Sequence, residues 1–133
     1  MRLRAFSIVA LLMTMIGCAY IQGPVKEVEA YGAAIEPVME EMVKSVAADS
    51  TEAGVDKIQK LWDSKKADLK AKRDAIDAAP QGKNADWQSL LMKINGRTRE
   101  RLDAIQVELG YDSPGHVKFK TVRSDVETTL KLK

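Results

Sequence analysis

The chain has 133 residues, with 21 Lys and Arg against 19 Asp and Glu, one His and one Cys, for a formal net charge of +2. Arg2 and Arg4 precede every acid, so a product lacking the leader is balanced in side-chain charge, which argues against a nucleic-acid partner. A lone cysteine excludes an internal disulfide. A lone histidine, with no second Cys or His and no Glu-x-x-His pair, leaves no zinc, haem or di-iron ligand set, so neither metal nor cofactor is expected.

Arg2 and Arg4 stand before an apolar run over residues 5–16, and the small residues Gly17 and Ala19 flank Cys18. These are the charged region, short apolar region and small-residue cut site of an export signal. The run falls short of the ~20 residues that cross a ~30 Å hydrocarbon core. Met15-Ile16-Gly17-Cys18 resembles the lipobox of bacterial lipoproteins, with Met15 where Leu is commonest. The resemblance covers the leader alone. It implies a signal peptide over 1–17, a lipidated Cys18 with a tether to residue 24, and one domain over 25–133. Two or three acyl chains, at about 0.8 kcal/mol per buried CH₂, would hold such a product at a bilayer almost permanently. In that family an Asp after the cysteine marks inner-membrane retention. Ala19 carries no such mark, so the resemblance implies the inner leaflet of the outer membrane, facing the periplasm. The same residues also fit an ordinary cut before Tyr20, giving a soluble periplasmic product, or an uncleaved anchor.

Residues 19–24 reach only about 20 Å when fully extended, which keeps the following domain close to a bilayer. Val28, Tyr31, Ile35, Val38, Met42 and Val46 recur at steps of three and four and predict a helix over about 25–48. Pro37 lies inside it and predicts a kink or restart near residues 33–37. Glu29, Glu36 and Glu40 share another face, which reads as solvated. Glu36, Glu40 and Glu41 also raise acid–base or cation chemistry, but a like-charged pair costs only a few tenths of a kcal/mol on a wet helix and needs no such role.

Asp49 with Glu52 predicts a capping box and a second helix to about residue 79, built on Val55, Ile58, Trp62, Leu69 and Ile76. Lys65 and Lys72 fill the core spacing between them, their stems covering apolar surface. Pro80-Gln81-Gly82-Lys83 breaks the chain. Asn84 is the expected cap of a third helix, with Asp86 set against its dipole. Its inner face is Trp87, Leu91, Ile94, Leu102, Ile105 and Leu109, and Gly110 is its stop. Asn95-Gly96 is the one place where it would break. Ser113-Pro114 starts a last helix carrying Val117, Val122, Val126 and Leu130, with Ser124 and Glu127 as a second possible start. Val117, Phe119 and Thr121 alternate as a strand would, but a lone strand has nothing to pair with.

The expected fold is all-α, an up-down bundle of three long amphipathic helices plus a shorter C-terminal helix. Lys93, Arg97 and Arg101 recur every four residues and form one basic stripe. It suits lipid phosphates or an acidic partner protein, or it pairs with acids of a neighbouring helix. Trp62 and Trp87 either fill the core or line a cleft for an apolar ligand. His116 reads as a solvated residue at a helix start. Tyr20 and Tyr31 lie near the lipid end, where amphipathic rings suit a headgroup layer. The terminal lysine is shared with lipoproteins of the Braun type, but Pro37, Pro80 and Pro114 do not suit their uninterrupted coiled coil.

The sequence therefore favours a non-enzymatic envelope lipoprotein, anchored through Cys18, that holds an envelope protein partner. The alternative is a lipid-anchored carrier with a pocket near Trp62 and Trp87. The lysines at core spacing leave a homodimer open.

Overall fold

The computed structural model describes residues 23–83 and 85–133. They form four helices, α1 (Val25–Ala48), α2 (Glu52–Ala78), α3 (Asp86–Leu109) and α4 (Pro114–Thr129), with no strand among the described residues. The leader, Cys18 with residues 19–22, Tyr20 among them, and Asn84 lie outside the described residues.

Cross-helix contacts set the directions. Arg101 of α3 pairs with Glu36 of α1, and Ile94 lies against Gly32, so α1 and α3 run parallel. Lys118 of α4 pairs with Asp56 of α2 and Lys66 with Asp125, so α2 and α4 also run parallel. Arg123 of α4 meets Asp103 of α3, while Arg99 reaches the Leu132 carbonyl; that pair is antiparallel. The chain thus alternates up and down. α1 packs against α2 and α3, and α4 against α2 and more lightly α3. The helices therefore stand in the order α1-α2-α4-α3 around the bundle. The link over 79–85 crosses the diagonal from α2 to α3, which is why it is the longest of the three.

Most of the expected inner faces are buried, including Tyr31, Ile35 and Met42 of α1, Ile58 and Leu69 of α2, Leu102 and Ile105 of α3, and Val122 and Val126 of α4. α1 runs unbroken past Pro37. Pro37 and Ala33 are exposed, so water can serve the Ala33 carbonyl that the proline leaves without a donor. α3 likewise continues through Asn95-Gly96.

The structure moves four expected features. The cap of α2 is Thr51, whose hydroxyl accepts from the Ala53 N–H at 3.3 Å. Asp49 instead accepts from the Thr51 N–H at 3.0 Å and from its hydroxyl, so it steadies the capping residue rather than the helix. α3 starts after Ala85, without a side-chain cap bond. On α2 the basic residues in the inward spacing are Lys66 and Arg73, one position on from those expected. Lys65 is exposed and Lys72 pairs with Asp68, whereas Arg73 is buried. On α4 Val117 is 59% exposed and Phe119 is fully buried. Two residues are about 200° of helical turn, so they cannot share a face. The Ser113 cap is present, its hydroxyl accepting from the His116 N–H at 3.0 Å.

The chain beyond α4 folds back into the bundle. Leu130 and Leu132 are buried, Arg99 donates to the Leu132 carbonyl at 2.6 Å, and Lys131 pairs with Asp74 and Asp77 of α2.

Candidate functional site

The end of the bundle nearest Cys18 is built by the chain entering α1, the link over 79–85 and the start of α3. Gly23 has φ of 65°, and its carbonyl accepts from the Val25 N–H at 2.9 Å. A side chain there would strike the Gln81 carbonyl and come within 2.8 Å of the Trp87 ring, so glycine is required on both counts. The Trp87 Nε1–H donates to the Gln81 carbonyl at 3.0 Å. Trp87 is therefore a plug at this base.

Trp62 is fully buried between α2 and α4. Its Nε1–H donates to Asp125 at 2.7 Å, and the Lys66 ammonium donates to both Asp125 oxygens at 2.8 Å. Leu61, its neighbour, lines a groove with Val38, whereas Trp87 stands level with Gly23. At 1.5 Å per residue the two indoles are about 20 Å apart along the axis. They line no common cleft, because each is committed to separate packing and its own hydrogen bond.

The hydrogen bond from Lys66, then that from Trp62, holds the Asp125 carboxyl below its ordinary pKa of 3.8. A carboxylate lowered on folding contributes stability that is present above its unfolded pKa and lost as pH falls through the folded one. The wild type is thus expected to lose stability below about pH 4. The stability gap to Asp125→Asn, measured by urea unfolding, should be larger at pH 7 than at pH 3. A gap of equal size at both would remove the charge from this contact.

The basic stripe divides. Arg101 is half-buried and binds α1, donating to the Glu36 carbonyl at 3.1 Å and to its carboxylate at 2.5 Å, with Glu40 at 3.9 Å. The acids expected on a solvated face include this pair, which clamps α1 to α3. Lys93 and Arg97 are exposed, and neither is in an ion pair within the described residues.

Two further expectations change. Tyr31 is inside the core with its hydroxyl unpaired. Burial pushes its pKa up to about 12, against the nearby Arg73 charge, so it is no headgroup-layer residue. His116 is 4% exposed with Nδ1 unpaired, its ring 5.4 Å from that of Tyr111. The Ser113 cap turns the first residues of α4 inward, which places this histidine under the 110–113 turn.

Sequence reasoning did not single out the far end of the bundle. Val107, Tyr111 and Val117 are 65%, 77% and 59% exposed. They occupy the last turn of α3, the 110–113 turn and the first turn of α4. A shallow groove of about 480 Å³ lies at the same end, between Ser50, Thr51 and Glu52 and the segment Ser113, Pro114 and Gly115. The signal available was Tyr111 between Gly110 and Asp112, an aromatic ring in a turn. A second open groove, about 430 Å³, runs between α1 and α2 along Ala34, Val38, Leu61 and Leu69. Neither tryptophan lines it.

No His, Cys, Asp and Glu grouping among the described residues could hold a metal ion, and no helix among them is long and apolar enough to cross a membrane. No protein family, curated protein or solved structure matches the chain.

Proposed function

We propose that the protein is an envelope lipoprotein held by acyl chains on Cys18, at the periplasm-facing leaflet of the outer membrane. It acts without catalysis, as a docking module for another envelope protein. The leader Met15-Ile16-Gly17-Cys18 supports the anchor. The observation that carries the docking role is the gathering of exposed Val107, Tyr111 and Val117 at the end opposite the tether. Exposed apolar side chains grouped at one end suit a protein contact. The carrier reading keeps one supporting feature, the open groove between α1 and α2, but both indoles lie outside it.

The test is the intact mass of protein extracted from membranes, beside a Cys18→Ala variant. The expected result is a mature chain beginning at Cys18 with acyl chains attached, and a variant without them. A chain beginning at Tyr20 and released by osmotic shock would sink the anchor. For the docking role, a photo-crosslinker at residue 111 should trap one envelope protein, and Val117→Asp should abolish the product. An unchanged product would place the contact elsewhere.

A further inference from the structure

We infer that α4 is a hinged lid on the other three helices, shut by a clasp over residues 130–132, and that it opens as a unit while α1, α2 and α3 stay together. The device is independent of the anchor and of the docking role. The order of the helices carries it. α1 packs against both α2 and α3 and has no comparable interface with α4 among the described residues, while α4 lies on α2 and more lightly on α3. Lifting α4 therefore leaves both α1 seams closed, including the Arg101–Glu36 pair and the approach of Ile94 to Gly32. Removing α2 or α3 would break an α1 seam, and removing α1 would break both. Much of the α4 seam is polar, with Lys118 on Asp56, Lys66 on Asp125 and Arg123 on Asp103. Except for Arg123, each of these side chains keeps more than a third of its surface exposed, so opening completes the hydration of charges already half in water. Phe119, Val122 and Val126 supply the buried apolar contact that keeps the lid shut.

The pivot is the 110–113 turn, where Gly110 has φ of 77° and Asp112 of 66°. The Ser113 hydroxyl donates to the Leu109 and Gly110 carbonyls at 2.7 and 3.0 Å and accepts from the His116 N–H at 3.0 Å. These bonds span at most four residues, so they survive when the helix swings away. At the other end the Leu132 N–H donates to the Glu127 carbonyl at 3.0 Å and the Lys131 N–H to that of Thr128 at 3.4 Å. This is the bond pair of a helix end whose left-handed residue is ordinarily glycine. Here that residue is Lys131, with φ of 55°. Its side chain does what glycine could not, pairing with Asp74 at 3.3 Å and with Asp77, both on α2. Leu130 and Leu132 on either side are buried, and the Leu132 carbonyl accepts from Arg99 of α3 at 2.6 Å. The clasp thus grips the two helices on which α4 lies. An element with few interfaces of its own is where a protein opens below its global unfolding free energy. The open lid uncovers Trp62 and carries Val117 away from Val107, so the clasp also governs the exposed apolar end.

The test is amide hydrogen exchange of the whole protein, read residue by residue, under conditions where reclosing outpaces exchange. The amides of Phe119, Val122 and Val126 should share one rate, at least about tenfold faster than the slowest amides of α1. Leu132→Ala should speed that shared rate by about thirtyfold or more, the factor for emptying a buried leucine site. Lys131→Glu, a milder break in the same clasp, should speed it about fivefold, and Lys131→Arg should leave it as it is. Glu36→Gln, which weakens only the α1–α3 seam, should speed the slowest α1 amides by up to about fivefold and leave α4 unchanged. One common rate for all four helices would overturn the lid, as would Glu36→Gln speeding α4 as much as α1. Unchanged α4 exchange in both Leu132→Ala and Lys131→Glu would overturn the clasp.

Discussion

Trp62→Ala is expected to lower stability by about 3–5 kcal/mol, the range for emptying a fully buried tryptophan site. Trp62 has no exposed surface, and it joins α2 to α4, so the void opens in the seam that holds the last helix. The substitution also takes the indole N–H from Asp125 and leaves Lys66 as its partner. In a domain of this size the loss corresponds to a drop in Tm of roughly 15–25 °C. Trp62→Phe separates the two contributions, because it keeps most of the ring volume and removes only the donor. It should cost about 1–2 kcal/mol. Thermal and urea unfolding followed by circular dichroism measure both. A change below about 1 kcal/mol for Trp62→Ala would mean that the α2–α4 seam is not packed as described.

Gly54→Ala should destabilise by about 3 kcal/mol, opposite in sign to what helix propensity suggests. An interior helical glycine replaced by alanine ordinarily gains up to about 1 kcal/mol. At Gly54 the added Cβ would overlap the Asp49 carbonyl oxygen and lie 2.9 Å from its carbon, with the Ser45 carbonyl at 3.3 Å. These are backbone atoms of the α1 end and its turn, so no rotamer change relieves the clash. The 49–51 turn would have to shift, disturbing the Asp49 bonds to Thr51 and the cap bond to Ala53. Gly96→Ala is the control. Its Cβ meets nothing within 4 Å, so the ordinary propensity gain of up to about 1 kcal/mol is expected there. Equal stabilisation by both substitutions would refute the close approach at Gly54.

Local signals made the helices legible. The periodicity of Val28, Tyr31, Ile35 and Val38, the Pro80–Gly82 break, the Gly110 stop and the Ser113-Pro114 start all act within about one turn, and the helix ends fall within a few residues of expectation. Errors arose where a local pattern admitted two phases. On α2 the spacing tolerated Lys65 and Lys72, while burial against α1 and α4 selected Lys66 and Arg73. On α4 the alternation of Val117 with Phe119 hid the fact that only one of them can face inward. Within the basic stripe, sequence offered a partner protein, a lipid or a neighbouring helix; α1 lying beside α3 gave Arg101 to Glu36 and left Lys93 and Arg97 exposed.

By itself the sequence determined an all-α chain with four helices, their approximate ends and the apolar stripe of each, because those depend on residues three or four apart. The tertiary structure alone decided the order α1-α2-α4-α3, the joining of Trp62 to Asp125 and the sign at Gly54. Each of these depends on residues far apart in sequence, or on backbone approach at a helix junction. Such contacts follow from which apolar face covers which, and a one-dimensional pattern specifies the faces without specifying their partners.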